Sequence, residues 1–425
     1  MAQEPTKILI GKGDYRRSVP AIPSVVLKNR FFETNPVLNA DQTSLISRPG
    51  MKLITTLGTG LIRKVFQEPG VFGDAAFVVS GLDLYKLTLS LTSSLLGTIG
   101  LAVTASVEMA AAANLGEGSV PERLFIADGG ILWVYMDNAQ SIGALVASAA
   151  PANNDTVTIG TVVYKFTTGS VDAGTPAGTG ANPWLVARTG VAATDLEALF
   201  HAINDSGTAG TEYSTALTPH TTVEAYNVTI NTLYVVARAY GTAGDLIATT
   251  ETSANLAWGA ATLQDGGEPH LRQVPMPNDV GAISVAHINQ YIIVIPAQGN
   301  NINGRFYWID PGEVTVDPLN FATAERAPDA CNQVVVYSDM FWLCGQTTTE
   351  PWVMTGDADA PVQRFRGILY DRGCWEGTAC KVKDSLILCD QDGAVFQIQG
   401  GLKRISRPDI EERIRTAITV QNQNT

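Results

Sequence analysis

Five hairpin-forming segments recur along this chain at nearly constant spacing, and that recurrence constrains its fold more than any other feature. Each is a short apolar strand, a turn of Gly, Asp, Asn or Ser, and a second apolar strand: 76–85, 124–135, 284–295, 334–343 and 380–389. A further turn at Asp392-Gly393 leads into Ala394-Val-Phe-Gln-Ile398. Turn residues that tolerate positive φ, flanked by β-branched and aromatic runs, are the strongest short-range hairpin signal. Phe77 to Phe125 is 48 residues, Val285 to Val335 is 50, and Val335 to Val382 is 47. A period of 40–50 residues is that of a β-propeller blade of about four strands. A β-sandwich with regular turns is the alternative. The step from Phe125 to Val285 is 160 residues, so roughly 110 residues beyond one blade form an insertion.

Composition agrees with a β protein and removes other classes. Only 16% of the 425 residues are charged while 40 are glycine, which disfavours helix bundles and coiled coils. An apolar fraction of 45% disfavours disorder. The net charge of −13 argues against binding nucleic acid by phosphate neutralisation. Met1 to Gly11 carries no signal-peptide core. The uncharged stretch from Leu87 to Val107 is long enough to span a bilayer, but it alternates apolar and hydroxyl residues and is broken by Gly97 and Gly100. It reads as two strands and a turn.

The insertion has its own character. Between Ala150 and Gly266 ten Asp/Glu face three Lys/Arg, a net of 3 − 10 = −7. A hairpin is expected over Thr156–Phe166 with its turn at Gly160. Thr194-Asp-Leu-Glu197 has the form of a capping box, and Leu196, Leu199, Phe200 and Ile203 share one helical face up to a stop at Gly207. Strands follow around 222–229 and 232–239. The whole is a mainly β chain: extended arm 1–44, propeller 45–149, inserted α+β module 150–266, propeller 267–406 and tail 407–425. Pro408 followed by Ile410, Ile414 and Ile418 predicts a short closing helix, frayed after Val420.

Chemistry is sparse. The five cysteines (Cys331, Cys344, Cys374, Cys380, Cys389) include no CxxC and read as small apolar residues in strands. The four histidines are far apart. Gly11-Lys12-Gly13 is no phosphate loop, Gly116-Glu-Gly-Ser119 no nucleophile elbow, and HExxH is absent. Gly241-Thr-Ala-Gly244-Asp245 reads as a turn, not a dinucleotide loop. Asp357-Ala-Asp359 and Asp390-Gln-Asp392 are fragments of carboxylate metal loops without the downstream Glu. The reading is no catalytic residue, no metal site, no cofactor and no enzyme. Five tryptophans in or near the hairpins (Trp133, Trp308, Trp342, Trp352, Trp375) are the residues that would serve sugar binding, although strand aromatics are far more often core or interface.

The segment Val25-Val-Leu-Lys-Asn29-Arg-Phe-Phe-Glu33-Thr-Asn-Pro36, followed by Ser44-Leu-Ile-Ser-Arg48-Pro49-Gly50-Met51, resembles the opening of the packaged-DNA stabilisation, or tail nozzle, family of short-tailed bacteriophages. The closing Ile405-Ser406-Arg-Pro-Asp-Ile-Glu-Glu-Arg413 is similar to that family as well. The insertion separately resembles small modules of phage tail proteins through TVTIG, AATDLEALFHAIN and TAGDLIATT. The resemblance implies a virion protein assembled in the host cytoplasm as a ring, a hexamer, below the portal and adaptor. Such a ring extends the DNA channel, retains packaged DNA without sequence-specific binding, and docks needle or fibre proteins. The rival expectation is a tail-associated propeller that binds or depolymerises carbohydrate.

Overall fold

The computed structural model describes residues 53–100, 106–113, 120–297, 304–324, 329–357 and 360–423, with the backbone alone at 30–34, 43–47 and 418–423. Among the described residues outside the insertion lie five four-stranded antiparallel sheets in chain order, here I to V. Sheet I uses Ile62–Phe66, Ala76–Ser80, Asp83–Leu87 and Ser93–Thr98. Sheet II uses Glu108–Ala112, Arg123–Ala127 and Leu132–Met136, and takes its fourth strand, His270–Val274, from beyond the insertion. Sheets III, IV and V run from Ala282 to Thr323, Cys331 to Arg364 and Cys380 to Arg404. The five expected hairpins are all present. Their turns place Gly81, Gly129, Asn289, Gln290, Ser338, Asp339 and Lys383 at positive φ, as tight right-twisted hairpins require.

Continuous apolar runs in these strands have a clear cause. In sheet II, Leu124 and Ile126 enter the core shared with sheet I, while Phe125 and Ala127 enter the core shared with sheet III. Successive side chains point to opposite faces, so a sheet packed on both sides needs apolar residues at every position. Sheet III repeats this: Ile292 and Val294 face sheet II, Ile293 and Ile295 face sheet IV. In sheet IV, Phe341 and Leu343 face III, whereas Trp342 and Cys344 face V. Sheet I differs. Its Phe77 and Val79 join the core with sheet II, but Val65 and Leu95 are 62% and 59% exposed.

The insertion forms two further four-stranded sheets and a helix around one separate core. One sheet pairs Gln140–Ala147 with Thr232–Tyr240 and Leu256–Trp258, and adds Val223–Val228 at its edge. The pairing therefore takes in a strand that begins ahead of residue 150. The other joins Thr156–Ile159, Val162–Thr167, Thr249–Glu251 and a parallel strand, Trp184–Ala187. The hairpin turns at Gly160 as expected (φ 59°). The 242–246 segment is a 3-10 turn followed by the short strand Thr249–Glu251.

Helix α1, Ala192–Asn204, corrects two expectations. Its N-cap is Val191, with no side-chain cap bond, so Thr194 and Glu197 form no capping box. Instead the fully buried Asp195 carboxylate accepts from the Thr189 N–H (2.6 Å), the Thr189 hydroxyl (2.8 Å) and the Gly190 N–H (3.3 Å). The helix ends at Asp205, which adopts the left-handed conformation two residues before Gly207. The closing helix α2, Pro408–Gln423, starts at Pro408 and runs past Val420. Its Glu411 accepts from Arg404 of sheet V and from the Ser406 hydroxyl (2.5 Å), tying the helix to the sheet. At the N-terminus, Arg30–Thr34 and Thr43–Ser47 pair as an antiparallel ribbon. The rest of the 25–36 and 44–51 segments lies outside the described residues, apart from these strands.

No helix among the described residues is long and apolar enough to cross a membrane. The Leu87–Val107 stretch contains the strand Ser93–Thr98, and residues 101–105 lie outside the described ones. Three of the five cysteines are buried as expected; Cys389 is half-buried and Cys380 exposed, the latter on the first, outlying strand of sheet V.

Candidate functional site

Two polar clusters stand out from an otherwise apolar interior. The first links sheets I, II and IV and the residue that leads into sheet V, with Ser284 of sheet III bonded alongside. Glu108, on the first strand of sheet II, accepts from the Lys64 ammonium of sheet I at 2.8 Å and from the Gln333 amide of sheet IV at 3.4 Å. Gln333 in turn pairs with the backbone of Ala379, just before sheet V, donating to its C=O at 2.9 Å and accepting from its N–H at 2.8 Å. Ser284 of sheet III accepts from the Val334 N–H at 3.1 Å. Ser284, Gln333 and Glu108 are 0%, 3% and 8% exposed. Gly377 (φ 71°) lies so close to Ser106 that a Cβ would sit 2.5 Å from its hydroxyl, which brings the 374–379 loop against sheet II. Beside this, burial and the Glu108 charge hold the Glu376 carboxyl above its usual range. The cluster fills the meeting point of the first strands with paired side chains.

The second cluster lies where the insertion meets sheets II and III. Arg272 stacks over the Tyr226 ring at 5.0 Å and donates to Gln140 at 3.2 Å. Arg238 of the insertion reaches Glu224 at 3.4 Å. Tyr240 donates to the Gly312 carbonyl at 3.3 Å, and the fully buried Arg123 donates to the Glu313 carbonyl at 2.9 Å. Burial lowers the pKa of both Arg123 and Arg272 and raises that of Glu224, against the opposing pull of Arg272 and Arg238 on the latter. Arginine keeps its charge under any such shift. The joint between module and body is thus held by buried arginines and a tyrosine that donate to carbonyl and amide oxygens, with Arg272 stacked on Tyr226.

Three of the four histidines, His220, His270 and His287, are shifted by burial. His220 is 4% exposed; its Nε2 lies 3.2 Å from the Ile159 carbonyl, while its Nδ1 accepts from the Thr222 and Val223 N–H groups at 3.2 and 3.3 Å. An Nδ1 that accepts leaves only the neutral ring with its proton on Nε2. Burial lowers the pKa of His220, His270 and His287 below 6.5. The unfolded chain therefore binds more protons than the folded one just below pH 6.5, so stability falls as pH drops through that range. The raised carboxyls Glu68, Glu224 and Glu376 act in the opposite sense nearer pH 4.5. The thermal midpoint is expected to fall between pH 7 and pH 5, with a shallower fall in His220→Gln; an unchanged slope would contradict the assignment.

Other expected features resolve differently. No group of three or more His, Cys, Asp or Glu residues suited to a metal occurs among the described residues. Asp390 instead caps its own turn, accepting from the Asp392 and Ala394 N–H groups at 3.0 and 2.8 Å. Asp359 and the 114–119 segment lie outside the described residues. Of the five tryptophans, Trp308, Trp342 and Trp352 are buried at 7%, 2% and 7%, and Trp352 packs edge-on to Phe306 at 5.0 Å. Only Trp133 and Trp375 are half-exposed, so the hairpin tryptophans form no common binding face. The Glu108 and Arg272 clusters were missed because each joins residues more than a hundred positions apart.

This arrangement of consecutive four-stranded antiparallel sheets has a counterpart among known families. Residues 225–424 match the family model described as bacteriophage P22 Gp10, beta-propeller. The match supports a propeller-like structural protein of a phage particle. No curated protein matches the sequence. Among solved structures, the extracellular domain of a hybrid two-component system from B. thetaiotaomicron aligns at 11% identity with a TM-score of 0.27. That alignment covers 83% of this chain and 34% of the other, so the chain spans about a third of that structure's length.

Proposed function

We propose that the chain is a subunit of a phage tail nozzle: several copies, six by the family resemblance, form a ring below the portal and adaptor. The ring extends the DNA channel, retains the packaged genome until ejection and docks needle or fibre proteins, without catalysis or cofactor. The family match over 225–424 is the observation that carries this reading. The five consecutive four-stranded antiparallel sheets support it, curved in this reading into a closed propeller. The Lys64–Glu108–Gln333 cluster then fills the propeller's own axis, so a path for DNA has to run between copies and not through one. The net charge of −13 suits a conduit that must not hold phosphate tightly.

Mass photometry of the purified protein with a portal–adaptor complex tests the proposal. A discrete ring-sized increment is expected; a persistent monomer that never joins the complex would overturn it.

A further inference from the structure

We propose that the cleft between the inserted module and sheet II is a saccharide-binding site. Two adjoining lobes, of about 220 and 370 Å³, share Ile142, Tyr226 and Tyr234 as common walls. Tyr226 and Tyr234 come from neighbouring strands of the module and stand 5.9 Å apart at an interplanar angle of 43°. Trp258 faces them across a floor of Gly143 and Ala144 in the smaller lobe. Gly143 is required there: a Cβ would come within 2.6 Å of Leu263 and 3.4 Å of the Trp258 ring. Trp133, His270 and Arg272 of sheet II line the larger lobe.

The chemistry of the walls selects the ligand. Rings set at an angle offer separate flat faces to the C–H surfaces of a puckered sugar, where a planar base prefers parallel stacking. Amide and hydroxyl groups stand around the rings, with Gln264 and Thr262 in one lobe and Asn227 and Gln273 in the other. Such groups donate and accept at once, which matches sugar hydroxyls. Two buried nitrogens in the walls, Trp258 Nε1 and His270 Nδ1, have no hydrogen-bond partner among the described residues. A buried polar atom left unpaired is costly, and a small side-chain adjustment around a bound hydroxyl would satisfy it. The module carries net −7, which disfavours a phosphate-rich polymer as the occupant. A mostly apolar cleft with a few convergent polar groups is the usual form of a small-ligand site. The Arg272 guanidinium, held under Tyr226, keeps that ring in place.

Carbohydrate recognition thus falls on Tyr226, Tyr234 and Trp258 of the module, with Trp133 alone among the hairpin tryptophans at the wall, and it does not depend on ring assembly. Saturation-transfer NMR on the full chain with glucose, galactose, N-acetylglucosamine and rhamnose tests it, with adenosine as the competing aromatic probe. Transfer to at least one sugar is expected, with a dissociation constant in the millimolar range. Tyr234→Ala should weaken binding about tenfold or more, and Gln264→Ala, on the exposed rim, several-fold. The rim variant keeps the test decisive if loss of Tyr234 disturbs the fold. Absence of transfer to every sugar, transfer undiminished in both variants, or stronger transfer to adenosine than to any sugar would each overturn the proposal.

Discussion

Glu108→Ala is expected to cost about 2–4 kcal/mol of stability, because it leaves the partly buried Lys64 ammonium without its partner. The side chains of Lys64 and Glu108 are 29% and 10% exposed, so solvent screens part of the loss and the upper end applies only to a fully enclosed pair. Gln333→Ala should be of similar size, about 2–3 kcal/mol, since it strips both backbone groups of Ala379 of their partner at a site that is 4% exposed. The two share a hydrogen bond, so the double variant should lose less than the sum, by about 0.5 kcal/mol or more. Urea midpoints of the four proteins would measure this. Single effects below about 0.5 kcal/mol would show that the five sheets hold together without the cluster.

Asp195→Ala is expected to destabilise the inserted module by about 3 kcal/mol, while Thr194→Ala should change it by less than about 0.5 kcal/mol. Asp195 is fully buried and its loss orphans the Thr189 and Gly190 N–H groups and the Thr189 hydroxyl. Its charge also lies in the first turn of α1, where the helix dipole favours an anion. Thr194 is exposed and caps nothing. A capping box at Thr194 and Glu197 would produce the reverse order, so thermal unfolding of the two variants separates the accounts. The sequence pattern misled here for a definite reason. The Thr-x-x-Glu spacing satisfies the box, but the preceding Thr189-Gly190-Val191 loop folds over the helix start and offers its donors to Asp195 first.

The local pattern decided much of this protein. The period of 47–50 residues, the turn residues and the unbroken apolar runs were enough to announce repeated antiparallel sheets and an insertion after Phe125. These features are legible because a hairpin is a local object: turn chemistry and strand alternation lie within about ten residues of one another. The helix 192–204 was legible in its apolar face for the same reason, through Leu196, Leu199 and Ile203.

What joins the pieces was not legible. The fourth strand of sheet II comes from 270–274, past the whole insertion, and the inserted sheet recruits Gln140–Ala147 from before it. Glu108 meets Gln333 across 225 positions, and Tyr226 meets Trp133 and Arg272 in one cleft. Trp308, Trp342 and Trp352 are core, as aromatics in strands usually are, but that both faces of sheets III and IV are covered is decided only by their neighbours. A strand's sequence shows that successive side chains point opposite ways, but only the packing of neighbouring sheets determines whether one face or both are removed from water. Strand period and turns were therefore set by the chain itself. The polar cluster that ties the sheets and the aromatic cleft at the module joint were set by tertiary contact, because each draws its few polar or aromatic groups from segments that meet only once the sheets have stacked.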